Sequence, residues 1–147
     1  MPEATVAAVI ANEENGVTKI LLTRRNVEPF KGQWCLPGGH IDWREPARDA
    51  IIREVEEEVG LKFDARFFGY FDEIIPEPGR EKESKLDIHA VVIVFEGPAE
   101  GELRLQPDEV AETRWLPVEE ARSLPLAFTH NEVLDGYAAR NSCLCAS

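Results

Sequence analysis

The sequence has few cysteines and no long apolar run. Its three cysteines, Cys35, Cys143 and Cys145, form no Cys-x-x-Cys pair, so neither a disulfide framework nor a zinc site is expected. Free thiols are typical of a reducing cytoplasm. No apolar stretch approaches the roughly 20 residues that cross a bilayer, and no basic segment precedes the apolar N-terminal residues, as it does in secretory signals. These absences predict a cytoplasmic protein that neither spans nor enters a membrane.

Basic residues are also scarce. Sixteen Lys and Arg stand against 28 Asp and Glu, which gives a formal net charge of −12. Such a chain repels nucleic acid and anionic membranes, so neither is expected as a partner. It also repels an anionic small molecule unless a divalent cation reverses the local charge. The 147 residues are enough for one domain with a core, which we assign to residues 1–140, with residues 141–147 as a C-terminal tail.

The order of apolar and turn segments predicts an α/β fold. Strands are expected near residues 5–11 and 19–24, as a hairpin, and near 65–75, 87–95 and 112–116. Helices are expected near residues 46–59, 117–124 and 129–140. The first helix has Pro46 at its first position and Gly60 as a left-handed end. Strands interleaved with helices in this way favour a mixed sheet that is covered on both faces.

The first helix carries a row of acidic residues. Glu54, Glu57 and Glu58 project from one side of it, because residues three and four apart are neighbours on a helix. Crowded carboxylates repel one another unless a cation lies between them, and Mg²⁺ takes oxygen ligands. Arg53 lies beside the row and can hold one carboxylate by a forked hydrogen bond. A solvated surface helix is the ordinary alternative, but the spacing of the surrounding residues favours a metal site.

The segment from Gly39 to Leu61 resembles the signature of the Nudix hydrolase family. It reads glycine, five residues, glutamate, seven residues, Arg-Glu, an aliphatic residue, any residue, Glu-Glu, any residue, glycine and an aliphatic residue. The resemblance implies a Nudix-type α/β/α sandwich, with a central mixed sheet and a loop-helix-loop metal site. It also implies an enzyme, a pyrophosphohydrolase that cleaves a nucleoside diphosphate linked to another group, with Mg²⁺ or Mn²⁺ as cofactor.

The resemblance also assigns roles to particular residues. In this family the residues that match Glu54, Glu57 and Glu58 ligate metal, and the backbone carbonyl that matches Gly38 often adds a ligand. The residue that matches Arg53 orients a glutamate, and the one that matches Glu45 supports the loop or the metal shell. Arg44 is a departure, since many members have glycine there, and we expect it to alter only the loop.

Hydrolysis requires a carboxylate that takes a proton from the attacking water. Within the signature, Glu54 or Glu57 could do this. Many Nudix enzymes instead use an acid from a downstream loop, where Glu109 and Glu112 are the candidates, although an exposed loop acid is the ordinary alternative for each. The predicted catalytic set is therefore Glu54, Glu57, Arg53 and Glu112, with Glu109 as a further option.

Three positions are expected to bind the substrate. The residue that matches Arg25 contacts phosphate in related nucleoside-triphosphate enzymes, although a solvated strand end is an equal alternative. Gly38 and Gly39 form a sharp turn in this interpretation and let the backbone approach a ligand closely. Arg80, Lys82 and Lys85 could cover an anionic substrate from a charged loop, and His130 could border a base pocket.

The substrate itself is less well defined by the sequence. Pro76 lies sixteen residues after Gly60, an offset that is often found in ADP-ribose pyrophosphatases of this family, and residues 124–134 also resemble that branch. The first hypothesis is therefore hydrolysis of ADP-ribose or a similar sugar nucleotide to a nucleoside monophosphate and a sugar phosphate. The alternatives are a (deoxy)nucleoside triphosphate pyrophosphohydrolase and a non-catalytic nucleotide-binding module. Dimers are common among relatives, so a homodimer is a further option.

Overall fold

A computed structural model of the chain describes residues 1–76 and 88–145. The loop cations Arg80, Lys82 and Lys85 lie outside the described residues. None of the helices in these two ranges is long and apolar enough to cross a membrane. The strands are β1 (Glu3–Glu14), β2 (Val17–Arg25), β3 (Trp34–Cys35), β4 (Gly38–His40), β5 (Lys62–Phe63), β6 (Arg66–Ile75), β7 (Ile88–Gly97), β8 (Ala99–Glu100) and β9 (Val110–Pro117). The helices are α1 (Ala47–Val59), α2 (Val118–Ser123) and α3 (His130–Cys145).

The main sheet is mixed, as predicted. Its strands follow the order β3-β2-β1-β7-β6, while β4 also pairs with β1 and β9 also pairs with β2. The pair β1–β7 is parallel, whereas the other pairs of this sheet are antiparallel. The predicted hairpin of β1 and β2 is confirmed, with Ala11 opposite Ile20. Strands β5 and β8 form a separate two-stranded sheet.

Helices cover both faces of this sheet. Successive side chains of a strand point to opposite sides, so β1 contributes apolar residues to a core on each face. Val6, Ala8 and Ile10 of β1 belong to one buried cluster, and the α1 members of that cluster are Ala50, Ile51, Val55 and Val59. Ala7 and Val9 belong to the other, which contains Val133, Leu134 and Tyr137 of α3 and Ala121 of α2. The two clusters confirm the predicted α/β/α sandwich.

Both ends of α1 follow from its flanking residues, with one correction. Pro46 is the N-cap residue, with φ −63° and ψ 146°, rather than the first helical residue. Gly60 has φ 77° and its N–H donates to the carbonyl of Glu56, which confirms the left-handed end. Helix α3 continues to Cys145, so residues 141–145 are helical and not the predicted tail. No proline or glycine after Arg140 stops the helix.

Candidate active site

Strand β4 brings glycine backbone against the acidic side of α1. Gly38 and Gly39 are extended and pair with Ala7 and Val6 of β1, so they do not form the sharp turn that the sequence predicted. A Cβ atom on Gly39 would lie 2.5 Å from the carboxylate carbon of Glu54, and one on Gly38 would collide with the carbonyl oxygen of Val6. Glycine is therefore required here by close approach to neighbouring atoms.

Three carboxylates converge beside these glycines. One oxygen atom from each of Glu54, Glu58 and Glu109 lies within 4.8 Å of the other two, and we call these three residues the acid cluster. Glu58 is buried, Glu54 is half-buried and Glu109 is exposed. Oε2 of Glu58 accepts a hydrogen bond from the N–H of Gly38 at 3.1 Å, which fixes that side chain against β4.

Glu109 reaches the cluster because its loop is tied to the end of α1. The N–H of Gln106 donates to the carbonyl of Glu58 at 2.9 Å, which satisfies a carbonyl that the helix itself leaves free. The N–H of Glu109 then donates to the carbonyl of Gln106 at 3.1 Å. On the other side, the N–H of Asn26 donates to the carbonyl of Glu109 at 2.9 Å. The backbone thus holds Glu109 between α1 and the end of β2.

The electrostatics of the acid cluster favour a bound cation. Burial raises the pKa of Glu58 well above its usual range, and the neighbouring carboxylates of Glu54 and Glu109 raise it further. Burial is also the largest cause of the raised pKa of Glu54. A divalent cation among these oxygens would remove the repulsion. The donors are all carboxylate oxygens, a set that fits a hard divalent cation.

Arg53 gathers a second group of acids around one guanidinium. Its Nε and Nη2 donate to Oε2 and Oε1 of Glu45 at 2.7 and 2.9 Å, so the forked hydrogen bond goes to the loop residue Glu45 rather than, as expected from the sequence, to a carboxylate of the acidic row. Nη1 donates to Glu54 at 3.0 Å and to Glu57 at 3.1 Å, and Nη2 also donates to the carbonyl of His40 at 3.2 Å. The forked contact between Arg53 and Glu45 is the main reason that the pKa of Glu45 is lowered to about 2.

Two acids of the predicted catalytic set lie outside the acid cluster. Glu57 is exposed, and its oxygen is a neighbour of Glu54 because both accept from Nη1 of Arg53. Glu112 forms an ion pair with Arg24 at 3.2 Å and does not line the cleft that contains the cluster. Of the two downstream acids, the geometry therefore brings Glu109, and not Glu112, to the site.

The acid cluster lies in a cleft of about 460 Å³. The predicted substrate residues Arg25, Gly38 and Gly39 line the same cleft. Nε of Arg25 donates to the carbonyl of Pro29 at 2.7 Å, and its guanidinium carbon lies 4.9 Å from the ring centre of Phe128. A more open depression of about 660 Å³ borders α1 elsewhere, and Glu57 lines that depression instead.

The cleft also contains two buried polar residues that are hard to assign to the site from the sequence. Glu73 and His130 are only 4% and 6% exposed and both line the cleft. The sequence suggested His130 as the border of a base pocket but gave Glu73 no role. The available signal for Glu73 was a glutamate inside an aromatic, apolar strand, where an unpaired carboxylate is costly.

Comparisons with known proteins agree with this geometry. A model of the NUDIX domain matches residues 1–137. An ADP-ribose pyrophosphatase from Methanocaldococcus jannaschii is 30% identical over 138 residues, which cover 92% of this chain and 73% of that protein. The crystal structure of a MutT NUDIX hydrolase from Burkholderia pseudomallei superposes with a TM-score of 0.75 at 29% identity, covering 92% of this chain and 98% of that one.

A further solved structure supports the fold alone. The NUDIX domain of Shewanella oneidensis NrtR, which was crystallised with ADP ribose, superposes with a TM-score of 0.77. Its sequence identity is 22%, and the match covers 95% of this chain and 88% of that domain. With the signature intact from Gly39 to Leu61 and two of its acids, Glu54 and Glu58, joined by Glu109 in one cleft, the chain belongs to the Nudix family of hydrolases, metal-dependent pyrophosphohydrolases that act on nucleoside diphosphate derivatives.

Proposed function

We propose that this enzyme hydrolyses ADP-ribose, or a similar nucleoside diphosphate-linked sugar. Water would add to one phosphorus and the bridging P–O bond would break, so that ADP-ribose gives AMP and ribose 5-phosphate. The observation that carries the proposal is the acid cluster in a cleft that also presents Arg25. The choice of a sugar nucleotide is supported by the relative from Methanocaldococcus jannaschii and by Pro76, sixteen residues after Gly60.

Glu54, Glu58 and Glu109 are the residues that would hold Mg²⁺ or Mn²⁺. The carbonyl of Gly38 and the carboxylate of Glu57 are further ligands that the family resemblance implies. When bound, such an ion neutralises phosphate oxygens and orients the attacking water. We assign the binding of a substrate phosphate to Arg25, whose planar guanidinium suits phosphate geometry.

The remaining residues of the signature position these groups. Arg53 clamps the loop residue Glu45 and the helix residue Glu54 at the same time, so it holds the loop and α1 in one register. Gly39 leaves the carboxylate of Glu54 room beside β4. A proton from the attacking water needs a carboxylate in the cleft. Glu54 and Glu109 meet that requirement, whereas Glu112 is engaged by Arg24 outside it.

The direct test is a substrate panel with Mg²⁺. The purified protein is incubated with ADP-ribose, other sugar nucleotides and nucleoside triphosphates, and the products are separated by ion-exchange chromatography. We expect AMP and ribose 5-phosphate from ADP-ribose, with the highest kcat/KM in the panel, and no turnover in EDTA. Preferential release of pyrophosphate from triphosphates would favour the nucleotide-sanitising alternative. Inactivity across the panel would favour a nucleotide-binding module.

We further propose that the enzyme acts in the cytoplasm, which is in keeping with the free thiol of Cys35 and the net charge of −12. A homodimer is a further proposal for its assembly, because dimers are common among relatives. Size-exclusion chromatography with light scattering would decide between one chain and two. Elution at the mass of a single chain, 16.5 kDa, would remove the homodimer.

A further inference from the structure

Glu73 and His130 form a polar pair within the cleft, apart from the acid cluster. Oε2 of Glu73 accepts hydrogen bonds from the N–H and the hydroxyl of Thr129, at 3.2 and 3.0 Å, and Thr129 immediately precedes His130 in the chain. Both residues of the pair are more than nine-tenths buried and both line the cleft.

The proton of His130 is fixed on Nε2. The N–H of Leu36 donates to Nδ1 of His130 at 2.9 Å, and a backbone N–H can only donate, so Nδ1 carries no proton. Burial, together with the charge of Arg25, lowers the pKa of His130 to about 3. The ring is therefore neutral at pH 7 and presents Nε2–H as a hydrogen-bond donor.

Each member of the pair has one polar atom left for a ligand. Nε2 of His130 and Oε1 of Glu73 have no hydrogen-bond partner among residues 1–76 and 88–145. No side-chain nitrogen or oxygen in those residues is both fully buried and unpartnered. Both atoms are therefore accessible from the cleft that the two residues line. The pair offers one donor and one acceptor to the same cleft.

The wall around this pair is apolar. Val27, Pro29, Ile88, Val92 and Phe128 line the cleft with it. The ring of Phe128 lies 5.3 Å from the ring of His130, and Phe30 supports Phe128 edge-on at 5.0 Å. Apolar and aromatic walls with a few placed polar atoms are typical of sites for flat organic groups.

The charges in the cleft favour different positions for the base and the phosphates of a nucleotide. The buried carboxylate of Glu73 repels a phosphate, whereas Arg25 attracts one and the acid cluster can bind one through a cation. We propose that Glu73 and His130 bind the edge of a nucleobase, with Oε1 of Glu73 accepting an N–H and Nε2 of His130 donating to a ring nitrogen or carbonyl. This inference rests on the proposed function, because it takes the ligand to be a nucleotide.

A titration with two ligands that differ only by the base tests the proposal. AMP and ribose 5-phosphate are added separately to isotope-labelled protein in Mg²⁺ buffer, and dissociation constants are read from NMR shift changes. We expect AMP to bind at least tenfold more tightly than ribose 5-phosphate. His130→Asn and Glu73→Gln should each weaken AMP binding by about tenfold or more, as loss of a buried hydrogen bond to a ligand does, and leave ribose 5-phosphate unchanged.

The variants are chosen so that the fold is kept. The amide oxygen of His130→Asn can still accept from the N–H of Leu36, and the amide oxygen of Glu73→Gln can still accept from Thr129. His89→Asn, at an exposed position of β7 that does not line the cleft, is the matched control and should bind AMP as the wild type does. Thermal unfolding of all variants within a few degrees of the wild type confirms that the comparison concerns binding.

Two results would overturn the base assignment. One is wild-type affinity for AMP in both cleft variants, and the other is an equal loss of affinity for AMP and ribose 5-phosphate. Neither result depends on turnover, so the titration is separate from the substrate panel. Hydrolysis of ADP-ribose with unaltered AMP binding in the variants would remove this inference and leave the proposed function in place.

Discussion

The acids around α1 fall into two groups that the protein treats in opposite ways. Around Arg53, a single guanidinium donates hydrogen bonds to Glu45, Glu54 and Glu57. In the acid cluster, Glu58 is buried beside Glu54 and Glu109, and its hydrogen bond comes from a backbone N–H. The first group carries its own positive charge, whereas the second requires one from solution, and Glu54 belongs to both groups.

The pKa values express the same difference. The pKa of Glu45 is lowered to about 2 because Arg53 is its partner, while burial raises the pKa of Glu58 well above its usual range. The carboxylates that hold the loop are thus neutralised by a cation of the chain itself, the guanidinium of Arg53. Carboxylates that face the cleft are kept together at a cost in stability, which a bound cation would offset.

The largest expected effect comes from removing one charge of the acid cluster. We predict that Glu58→Gln lowers kcat by about 10³-fold, since a charge that holds a catalytic cation is worth several kcal/mol in the transition state. Glu56→Gln, on the exposed side of the same helix, is the matched control and should stay within about twofold of wild type. Steady-state kinetics with ADP-ribose measures both. Equal kcat values in the two variants would show that Glu58 is no more important for turnover than an exposed acid of the same helix.

Glu57 belongs to the group around Arg53 and is also a metal ligand that the family resemblance implies, so it sharpens the comparison. As a ligand from the exposed side it should matter less than Glu58, and we predict that Glu57→Gln lowers kcat by about 10²-fold. Glu112→Gln is its counterpart outside the cleft and should change kcat by less than about threefold. Kinetics of both variants at saturating Mg²⁺ test this order. A wild-type rate for Glu57→Gln would restrict its role to pairing with Arg53.

Arg53→Lys is expected to act through position rather than charge. Lysine keeps the positive charge but cannot make the forked contact with Glu45 while also reaching Glu54. Loss of a residue that orients a metal ligand typically costs 10- to 100-fold, and we predict a decrease of that size in kcat/KM. Calorimetric titration with Mn²⁺ should show a weaker ion affinity by a similar factor. Unchanged affinity would mean that Arg53 does not organise the site.

In the absence of metal, Glu58→Gln should raise the stability of the fold, although it lowers kcat. Because the pKa of Glu58 is raised in the folded state, its ionisation destabilises the fold as pH rises above the unfolded value of about 4.5. In EDTA at pH 7, Glu58→Gln should therefore unfold about 3 °C or more above wild type, and the difference should shrink towards pH 4. Differential scanning fluorimetry across pH measures this. A lower midpoint for Glu58→Gln at pH 7 would contradict the assigned repulsion.

Glu45 should show the reverse pH dependence. Its pKa is lowered to about 2, so its pairing with Arg53 stabilises the fold above the unfolded pKa of about 4.5 and is lost as pH falls towards 2. Glu45→Gln should thus be less stable than wild type at pH 7, by a smaller margin because this pair is partly exposed. The same fluorimetry series measures it, and a raised midpoint at pH 7 would contradict the pairing.

The smallest effect is expected at Arg44, in the loop that precedes α1. Its φ is 63°, in the left-handed region that costs a residue with a side chain about 1–2 kcal/mol. Glycine adopts this conformation freely but loses more backbone entropy on folding, so Arg44→Gly should stabilise by about 0.5–1 kcal/mol. Urea unfolding measures the change, and kcat should be unaltered. Destabilisation would show that the Arg44 side chain supports the loop.

Local sequence rules predicted the elements that the site is built on. The helix that bears Glu54 and Glu58 and its glycine end follow from spacing within a few turns. The position of Arg53 beside the acids also follows from it, but the forked contact with Glu45 depends on the loop before α1. The strand conformation of Gly38 and Gly39 does not, because it depends on pairing with β1. Close approach to Val6 and Glu54, and not a turn, explains those glycines.

The rest of the site required contacts between distant parts of the chain. Glu109 and Glu112 could not be separated by sequence, because backbone hydrogen bonds between distant segments, from Gln106 to Glu58 and from Asn26 to Glu109, place one of them at the cluster. Glu73 and His130 come from a strand and a helix that are far apart in the chain, and Thr129, next to His130, contacts Glu73. Periodicity predicts which face of an element is buried, but not which distant side chain will share its cleft.

The acid cluster as a cation site is tested most directly by soaking crystals of the wild type and of Glu58→Gln in MnCl₂ and measuring anomalous scattering. In the wild type we predict an anomalous peak about 2.2 Å from carboxylate oxygens of Glu54, Glu58 and Glu109, and in Glu58→Gln a peak that is weak or lost. A wild-type crystal with no peak at these oxygens, or with its peak only at the exposed acids around Arg53, would contradict the account.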